Sequence, residues 1–473
     1  MSTTRELLLS KDAVLLLFAI AIGGLIAYAL ASTIHDLFFS PLRNVPGPPL
    51  ARFTRLWEFA IVRRGYFFRD LIALHEKYGP VVRLAPNRFS FNRTEEMKKI
   101  YDLHNPFLKS DFYKAFGDPR IDNQLNIQDA KEHARRKRAM ASLYSMSTMV
   151  NYEGLVDKSN TVFVDKLGEL ADNRVQVPMY DFCQYYAFDV IGQITWDEDF
   201  GMTKDGRDKS GVLHFIERID QLGATAGLFP EIIGLVFGMI NTFSKVAGNV
   251  LSDYIGNVVA KSKALGPQAK VNPRAQSFAT KLMGLEAEGK LIKPMTRYPG
   301  TFFDVMGGNI IAGSETTGIS LSATFWYLYT HPDKLAKLRH EINGGIAAGR
   351  WTECPTFAQT QEMPYLQAVI KEVLRLHPAV GVILPRVVPD TGANLGGYFF
   401  PKGTVVGCSG WALHYNKDKV ERPDEFLPER WLSPDGAIPV GNITDSFSVS
   451  CRYSRILHCE ISSPLLGDWS FPF

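Results

Sequence analysis

The sequence predicts a mainly α-helical fold with small β-sheets, preceded by one transmembrane helix. Three observations support this fold class. Apolar residues recur at helical spacing along most of the chain from Phe53 onward. After Pro378, closely spaced glycines and prolines instead separate short segments that are rich in β-forming residues. Near the amino terminus, the run from Ala13 to Ile34 contains no charged residue.

The composition is that of a folded protein whose main partner is not nucleic acid. Of the 473 residues, 46% are hydrophobic and 21% are charged, which excludes disorder for most of the chain. The net charge of +3 lacks the strong basicity of nucleic-acid-binding domains. The five cysteines show no C-x-x-C spacing, which argues against a disulfide scaffold and a structural zinc site. We therefore expect a reducing compartment.

The uncharged run at residues 13–34 predicts a membrane anchor, since a helix of this length crosses the roughly 30 Å hydrocarbon core of a bilayer. The run exceeds the usual apolar stretch of a signal peptide, although Ala29-Leu30-Ala31 leaves cleavage as an alternative. Basic residues are more numerous after the run than before it. The positive-inside rule then places residues 1–12 in the lumen and the body in the cytosol.

A proline-rich segment at residues 35–50 follows the anchor and contains Val45-Pro46-Gly47-Pro48-Pro49-Leu50. Prolines fix φ and prevent helix continuation, so this segment is predicted to be a stiff, extended hinge. Such a hinge would set the orientation of the body, while an ordinary proline-rich linker is the alternative. Residues 51–449 are predicted to form one large helical domain.

Within that domain, Val81–Leu84 and Arg88–Phe91 flank Pro86-Asn87 and predict a β-hairpin. Further short strands are predicted at residues 398–400 and 404–406. Apolar spacing predicts helices near residues 128–145, 152–171, 180–196, 210–224, 230–262, 274–288, 296–329, 333–348 and 363–376.

A polar segment, Ala312-Gly313-Ser314-Glu315-Thr316-Thr317, interrupts the apolar pattern of the long helix at 296–329. Glycine weakens a helix, and threonine hydroxyls can bond back to carbonyls and bend it. The segment therefore predicts a distorted backbone that meets a small ligand. A polar patch that faces solvent is the alternative.

Two further patterns lie downstream of the long helix. Glu372 and Arg375 share one helix face at i, i+3 spacing, a pairing that is also common on solvated helices. The segment from Arg422 to Trp431 contains Pro423 and Pro428 and is predicted to be a meandering loop pinned by its aromatic residues. Arg430 could reach a buried carboxylate from that loop.

In this order and spacing, the three patterns resemble the cytochrome P-450 family over residues 13–449. Pro46-Gly47-Pro48-Pro49 is similar to the hinge after the microsomal anchor, and Ala312–Thr317 to the oxygen-activation motif of the central helix. Glu372 and Arg375 match E-x-x-R, and Arg430 matches the arginine of the P-E-R-F/W loop. Among its members, the chain most resembles fungal enzymes of secondary metabolism and the pisatin-demethylase-like branch.

The resemblance implies roles for individual residues. Thr316 would donate a hydrogen bond during oxygen activation, and Glu315 would relay protons from solvent. Ala312, Gly313 and Thr317 would form the oxygen groove, and Glu372, Arg375 and Arg430 a structural triad behind the haem. The following residues would face the anionic haem propionates: His133, Lys137, Arg138, Arg386 and His414. For the basic helix at 131–138, a solvated face or a docking surface for an acidic reductase is the alternative.

One departure from the family concerns the thiolate that binds the haem iron. The family motif F-x-x-G-x-R-x-C-x-G begins here at Phe447, but Ser450 replaces its glycine and Ser454 stands at the cysteine position. Cys451 and Cys459 lie three residues before and five residues after that position. Residues 450–473 are thus expected to be an aberrant tail from a gene-model error, truncation or frameshift. A natural ligand role for Cys451 or Cys459 is the alternative.

The resemblance implies a haem-thiolate monooxygenase that oxidises an apolar small molecule. Its cofactor would be haem b, and a cytochrome reductase would supply electrons from NADPH. The enzyme would lie in the endoplasmic reticulum membrane with its catalytic domain in the cytosol. A truncated, non-catalytic relative is the second hypothesis. A membrane-tethered hydrolase is disfavoured, because neither G-x-S-x-G nor H-E-x-x-H is present.

Overall fold

The structure is a computed structural model that describes residues 39–102, 104–243, 276–295 and 300–432, with a few isolated residues at 20–24 and 256–264. The predicted lumenal segment and most of the predicted anchor lie outside the described residues. The same holds for the end of the predicted domain, residues 433–449, and for the tail at 450–473. The segment at 45–50 is described, and its prolines end in a 3₁₀ turn at Pro49–Arg52.

The described part of the chain is mainly helical, as the apolar spacing predicts. Its α-helices are α1 (Leu56–Arg63), α2 (Phe67–Tyr78), α3 (Thr94–Ile100), α4 (Ala130–Met140), α5 (Met146–Met149), α6 (Glu153–Asp172), α7 (Met179–Trp196), α8 (Met202–Asp205), α9 (Val212–Ala226), α10 (Ile233–Phe243), α11 (Phe278–Ala287), α12 (Thr301–Thr330), α13 (Pro332–Ala347), α14 (Phe357–Gln361), α15 (Pro364–Leu376) and α16 (Gly410–His414).

Proline sets where two of the long helices begin. Pro332 and Pro364 stand at the first position of α13 and α15, where a missing N–H costs no helical hydrogen bond. Before α14, Thr356 and Gln359 form a capping box, in which each side chain binds the backbone N–H of the other residue. These starts agree with the predicted helices at 333–348 and 363–376 within a residue.

Seven short strands form two sheets. The strands are β1 (Val81–Ala85), β2 (Arg88–Phe91), β3 (Leu108–Lys109), β4 (Arg386–Val387), β5 (Ala393–Leu395), β6 (Tyr398–Phe400) and β7 (Val405–Cys408). The predicted hairpin of β1 and β2 is confirmed, as is the strand at 398–400. The larger sheet has the order β1-β2-β7-β4-β3, with β2 and β7 parallel, and β5 pairs with β6.

Two long core helices, α7 and α12, pack against each other and run antiparallel. Gln184 lies against Gly318, Ile191 against Gly313, and Thr195 Oγ1 accepts a hydrogen bond from Asn309 Nδ2 at 3.2 Å. The two glycines permit this close approach. An added Cβ would lie 3.0 Å from Ile191 Cδ1 at position 313 and 2.6 Å from Gln184 Cδ at position 318.

No single helix in the described ranges has both the length and the apolar composition of a membrane span. One pair, Val212–Ala226 with Pro230–Met239, reaches that length and composition only when taken together, across a bend of 119°.

The helix contact gives a stability prediction. Gly318→Ala should lower the free energy of unfolding by about 1–3 kcal/mol, because its methyl group overlaps the buried Gln184 amide. The matched control is Gly308→Ala in the same helix, where no atom lies within 4 Å of the added Cβ. It should stabilise α12 by up to about 1 kcal/mol. Denaturant unfolding measures both values, and equal effects would contradict the packing assigned to Gly318.

Candidate active site

The polar segment of α12 does not break the helix. Residues 301–330 form one continuous α-helix, so the predicted distortion is absent from this described element. The hydroxyl groups explain why: Thr316 Oγ1 donates to the Ala312 carbonyl at 2.6 Å, and Ser314 Oγ donates to the Ile310 carbonyl at 2.7 Å. Their side chains thus satisfy their hydrogen bonds along the helix without opening it.

The predicted oxygen-groove residues divide between two faces of α12. Ala312 is exposed and Thr316 is half-buried, and their i, i+4 spacing places them on one accessible face. Thr317 is buried, and the missing side chain of Gly313 makes room for Ile191 of α7. The structure therefore brings Ala312 and Thr316 together, whereas Gly313 and Thr317 serve the packing of the helix.

Glu315 precedes Thr316 and lies beside a second carboxyl group. It forms a side-chain hydrogen bond with Asp220 of α9. Burial, this hydrogen bond and the nearby charges of Asp220 and Glu217 raise the pKa of Glu315 to about 8. Glu315 is therefore a neutral acid at neutral pH, which suits a group that delivers a proton.

The residues of the predicted triad are in direct contact around Glu372, which is 0% exposed. Arg375 Nε and Nη2 donate to its two carboxylate oxygens at 2.9 and 2.8 Å. Arg430 Nε donates at 3.0 Å, and the indole of Trp431 donates at 2.8 Å. The Leu427 N–H adds a further bond at 3.1 Å. The carboxylate is thus both neutralised and fully hydrogen-bonded, as burial requires.

Arg375 and Arg430 extend this contact to the neighbouring backbone. Arg375 donates to the carbonyls of His414, Pro423 and Glu425, and Arg430 donates to those of Glu421 and Arg422. Together, these bonds hold the loop at 421–431 against the end of α15. We call this set of Glu372, Arg375, Arg430 and Trp431 the Glu372 cluster.

His414, a candidate for contact with a haem propionate, lies beside the Glu372 cluster. It is 1% exposed, and its Nδ1 lies 3.0 Å from the Arg375 carbonyl. Its own carbonyl accepts the Arg375 bond described above. Both contacts tie His414 to Arg375, and its role beside a propionate stays a prediction.

A second group of charges lies where β3 pairs with β4. Lys109 and Arg386 stand directly opposite each other in this antiparallel pair. Lys109 Nζ donates to the carbonyls of Gln124 and Leu125 at 2.9 and 2.8 Å, and Arg386 Nη1 donates to Tyr113 Oη at 2.7 Å. Like charges in cross-strand positions repel each other, so this arrangement favours an anion between or beside them.

His133 of α4 lies close to the same two cations. Burial and the charges of Lys109, Lys137 and Arg386 lower the pKa of His133 to about 4. Burial and Arg386 also lower the pKa of Lys109 to about 7, against the opposing effect of Asp304. Around Lys109 and Arg386, the described carboxylates thus do not balance the positive charge.

This cation group fits the carboxylates of the haem expected from the resemblance, because two propionates would supply the missing negative charge. The structure brings Arg386 and His133 together, with Lys137 one turn further along α4. Lys137 and Arg138 are both exposed. Sequence reasoning missed Lys109, and no local signal marks it, because β3 is only two residues long and pairs with a distant strand.

The described residues contain no group of three or more His, Cys, Asp or Glu side chains that could hold a metal ion. Burial raises the pKa of the Cys183 thiol to about 12 and that of Cys408 well above its usual range, so neither forms a ready thiolate. Three residues that bear on the iron ligand lie outside the described residues: Ser454 at the expected cysteine position, and the alternative ligands Cys451 and Cys459.

A cavity of about 2040 Å³ lies beside α12. Its walls come from α2, the start of α7, the second half of α12 and α16, and include Ile72, Tyr180, Ile319, Trp326 and Trp411. It begins at Ile319, about one helical turn beyond Thr316. The cavity is therefore next to the Ala312–Thr317 segment and does not enclose it.

Comparison with known proteins agrees with this geometry. A family model described as cytochrome P-450 matches residues 46–450. Two pisatin demethylases of Fusarium vanettenii are 35% and 36% identical to this chain over 449 residues, which is 93% of the chain and 86% and 85% of the relatives. A cytochrome P-450 monooxygenase of Aspergillus terreus is 34% identical over 416 residues, 83% of the chain and 81% of the relative.

The matched region includes α12 with Glu315 and Thr316, all of the Glu372 cluster, and both Lys109 and Arg386. The chain therefore belongs to the cytochrome P-450 family of monooxygenases and is an oxidoreductase.

Proposed function

We propose that this chain carries the catalytic domain of a haem-thiolate monooxygenase that oxidises an apolar small molecule in fungal secondary metabolism, and that this activity requires an iron-ligand cysteine in place of Ser454. When bound, haem b would supply the oxygen-activating chemistry of such enzymes. The observation that carries the proposal is the placement of Thr316 on the accessible face of α12, next to the neutral acid Glu315. The Thr316 hydroxyl and the Glu315 carboxylic acid are neighbouring groups of α12, and both can donate a proton.

The remaining site residues would hold the cofactor. Lys109 and Arg386 would bind the haem carboxylates with charge-assisted hydrogen bonds, and His133 would lie at their edge. The Glu372 cluster would fix the loop at 421–431, which leads toward the region where the sequence expects the iron ligand.

We also propose a membrane location and a redox partner. The uncharged run at 13–34 supports an anchor in the endoplasmic reticulum, and the basic residues after it support a cytosolic domain. An NADPH-dependent cytochrome reductase would then supply electrons. The exposed Arg135, Lys137 and Arg138 of α4 give an acidic reductase a basic surface to dock on.

A non-catalytic relative is the second candidate, and Ser454 favours it. A serine hydroxyl is a far poorer iron ligand than a thiolate, which ionises readily beside a cation. Cys451 could replace it only with a shift of three residues in the loop that the Phe447 motif begins.

The iron ligand can be tested on the whole chain. Residues 1–473 should give no absorbance band of the reduced, carbon-monoxide-bound thiolate type, because Ser454 occupies the expected position. A chimera of residues 1–432 with the carboxyl-terminal segment of a pisatin demethylase should give this band, and a chimera without it would count against the proposed function. A band from the unmodified chain that Cys451→Ala abolishes would instead make Cys451 the ligand.

In that chimera, Thr316→Ala should retain haem but lose about 10²-fold in product formation, with reductant diverted to hydrogen peroxide. The change removes a positioned proton donor and leaves the helix intact. The matched control is Thr330→Ala, whose hydroxyl also donates to the carbonyl four residues before it, at 2.7 Å. Peroxide release and product should be measured together. Unchanged coupling in Thr316→Ala would remove this residue from oxygen activation.

Glu372→Ala should prevent stable haem incorporation and lower the free energy of unfolding by about 3–5 kcal/mol, because Arg375 and Arg430 would remain without their carboxylate. The control is Glu425→Ala in the same loop, whose exposed pair with Arg422 should cost less than about 1 kcal/mol. Haem content and denaturant unfolding report both effects. A stable, haem-bound Glu372→Ala protein would contradict the role assigned to the cluster.

A further inference from the structure

The turn that carries Arg430 is attached to a second helix through the residue before it. Glu429 and Arg430 are neighbours in the 3₁₀ turn Pro428–Trp431. Glu429 Oε1 accepts hydrogen bonds from Lys334 Nζ at 3.2 Å and from Lys337 Nζ at 2.5 Å, and both lysines belong to α13. Arg430 instead binds α15 through the contact described above. Two adjacent side chains of opposite charge thus tie one turn to two different helices.

The same face of α13 also binds the beginning of α15. Lys334, Lys337 and Glu341 follow one another at i, i+3 and i+7 spacing and therefore share a face. Glu341 accepts hydrogen bonds from the backbone N–H groups of Tyr365 and of the residue after it, at 2.8 and 2.9 Å. The Tyr365 hydroxyl group donates to Glu429 Oε1 at 3.3 Å. One face of α13 thus fixes both the first turn of α15 and the turn that contains Glu429.

The contacts of Glu429 are partly shielded from water, which strengthens them. The side chains of Lys334 and Glu429 are 13% and 35% exposed, and Tyr365 is buried. Burial by itself would raise the pKa of Glu429, but the hydrogen bonds from the two lysines lower it to about 2. Glu429 is therefore ionised at neutral pH. Hydrogen bonds to an ionised carboxylate are stronger than those between neutral groups.

The turn lies directly before the segment in which the sequence expects the iron ligand. Leu432, which follows the turn, is the last described residue, and the motif for the ligand begins at Phe447. A turn that is attached through one side chain can rotate about that attachment, whereas attachments to two helices fix its direction. The direction in which the chain leaves the turn therefore depends on Glu429 as well as on Arg430. Such outer contacts orient the residues that bind a metal.

We propose that Glu429 is a positioning residue for the iron ligand, which directs the chain from this turn toward the haem independently of Glu372. The inference rests on the proposed function and adds a second point of control over the iron-ligand segment. Glu372 lies in the interior and pairs two arginines, whereas Glu429 is half-buried. Loss of the Glu429 charge should therefore leave the domain folded and able to hold haem, while ligation by the thiolate becomes less stable.

The first test uses the chimera of residues 1–432 with the carboxyl-terminal segment of a pisatin demethylase. Glu429→Gln keeps the size of the side chain and removes its charge. The variant should retain haem, but its thiolate-type carbon-monoxide band should decay at least about tenfold faster than in the unmodified chimera, because hydrogen bonds to an ionised group are lost.

The matched control for this test is Asp333→Asn. Asp333 also pairs with Lys334, at 3.3 Å, but it belongs to α13 itself and not to the turn. Its loss should leave the decay of the thiolate-type band at the rate of the unmodified chimera. Equal decay in Glu429→Gln and in the unmodified chimera would overturn the inference.

A second readout needs no haem. The N–H groups of Arg430 and Leu432 bond to the carbonyls of Leu427 and Glu429, both at 3.1 Å, so their amide hydrogen exchange reports opening of the turn. In residues 1–473, Glu429→Gln should raise the exchange rate at residues 427–432 by at least about tenfold. Residues 366–376 of α15 should keep their rates, and Asp333→Asn should change neither segment.

A purely structural role would give a different result. Faster exchange throughout α15, together with loss of haem from the chimera, would assign Glu429 to general stability and contradict its positioning role. If Glu429→Gln does not fold, the double variant Lys334→Gln/Lys337→Gln removes the same contact from α13 and should give both expected changes.

The two readouts also separate this inference from the proposed function. An unmodified chimera without the thiolate-type band would count against the proposed function, and hydrogen exchange would still decide whether Glu429 fixes the turn. A normal band in the chimera with unchanged exchange at residues 427–432 in Glu429→Gln would overturn the inference and leave the proposed function standing.

Discussion

The buried carboxylate of Glu372 constrains the second half of this structure, because a charge in that position must be fully paired. Two guanidinium groups, an indole N–H and a backbone N–H satisfy it. Those donors come from α15 and from the loop at 421–431, and Arg375 adds carbonyls from α16 and the same loop. Pairing the Glu372 carboxylate thus holds α15, α16 and the loop at 421–431 in one arrangement. The cost is the removal of the paired charged groups from water.

The antiparallel contact of α7 and α12 provides the other support. Glycines at 313 and 318 let α7 and α12 approach closely. Ala312 and Thr316 lie on the accessible face of α12, away from this contact. The sheet places Lys109 and Arg386 at a separate point, where excess positive charge suits an anionic cofactor. Packing on one side of α12 and charge on the sheet together define where the chemistry of a monooxygenase could occur.

Local sequence patterns predicted the features that depend on residues close together in the chain. The hairpin of β1 and β2, the long helix and the i, i+3 pair of Glu372 and Arg375 are of this kind. Contacts between distant segments were predicted only where the family resemblance supplied them, as for Arg430 and Glu372. Lys109 meets Arg386 through a two-residue strand, and Asp220 of α9 lies beside Glu315 of α12. The prediction of a distorted backbone at Ala312–Thr317 was wrong, because the hydroxyls of this segment bond to carbonyls within an unbroken helix.

The most direct test of the central constraint is a double-mutant cycle on Glu372 and Arg430, measured by denaturant unfolding of the full chain. Glu372→Gln, Arg430→Gln and the double variant keep side-chain shape while removing each charge. The account predicts a coupling free energy of about 2 kcal/mol or more, because Glu372→Gln leaves Arg430 without its carboxylate and Arg430→Gln removes one of the two cations that neutralise Glu372. Effects that add to within about 0.5 kcal/mol would show that the two residues act independently and would contradict it.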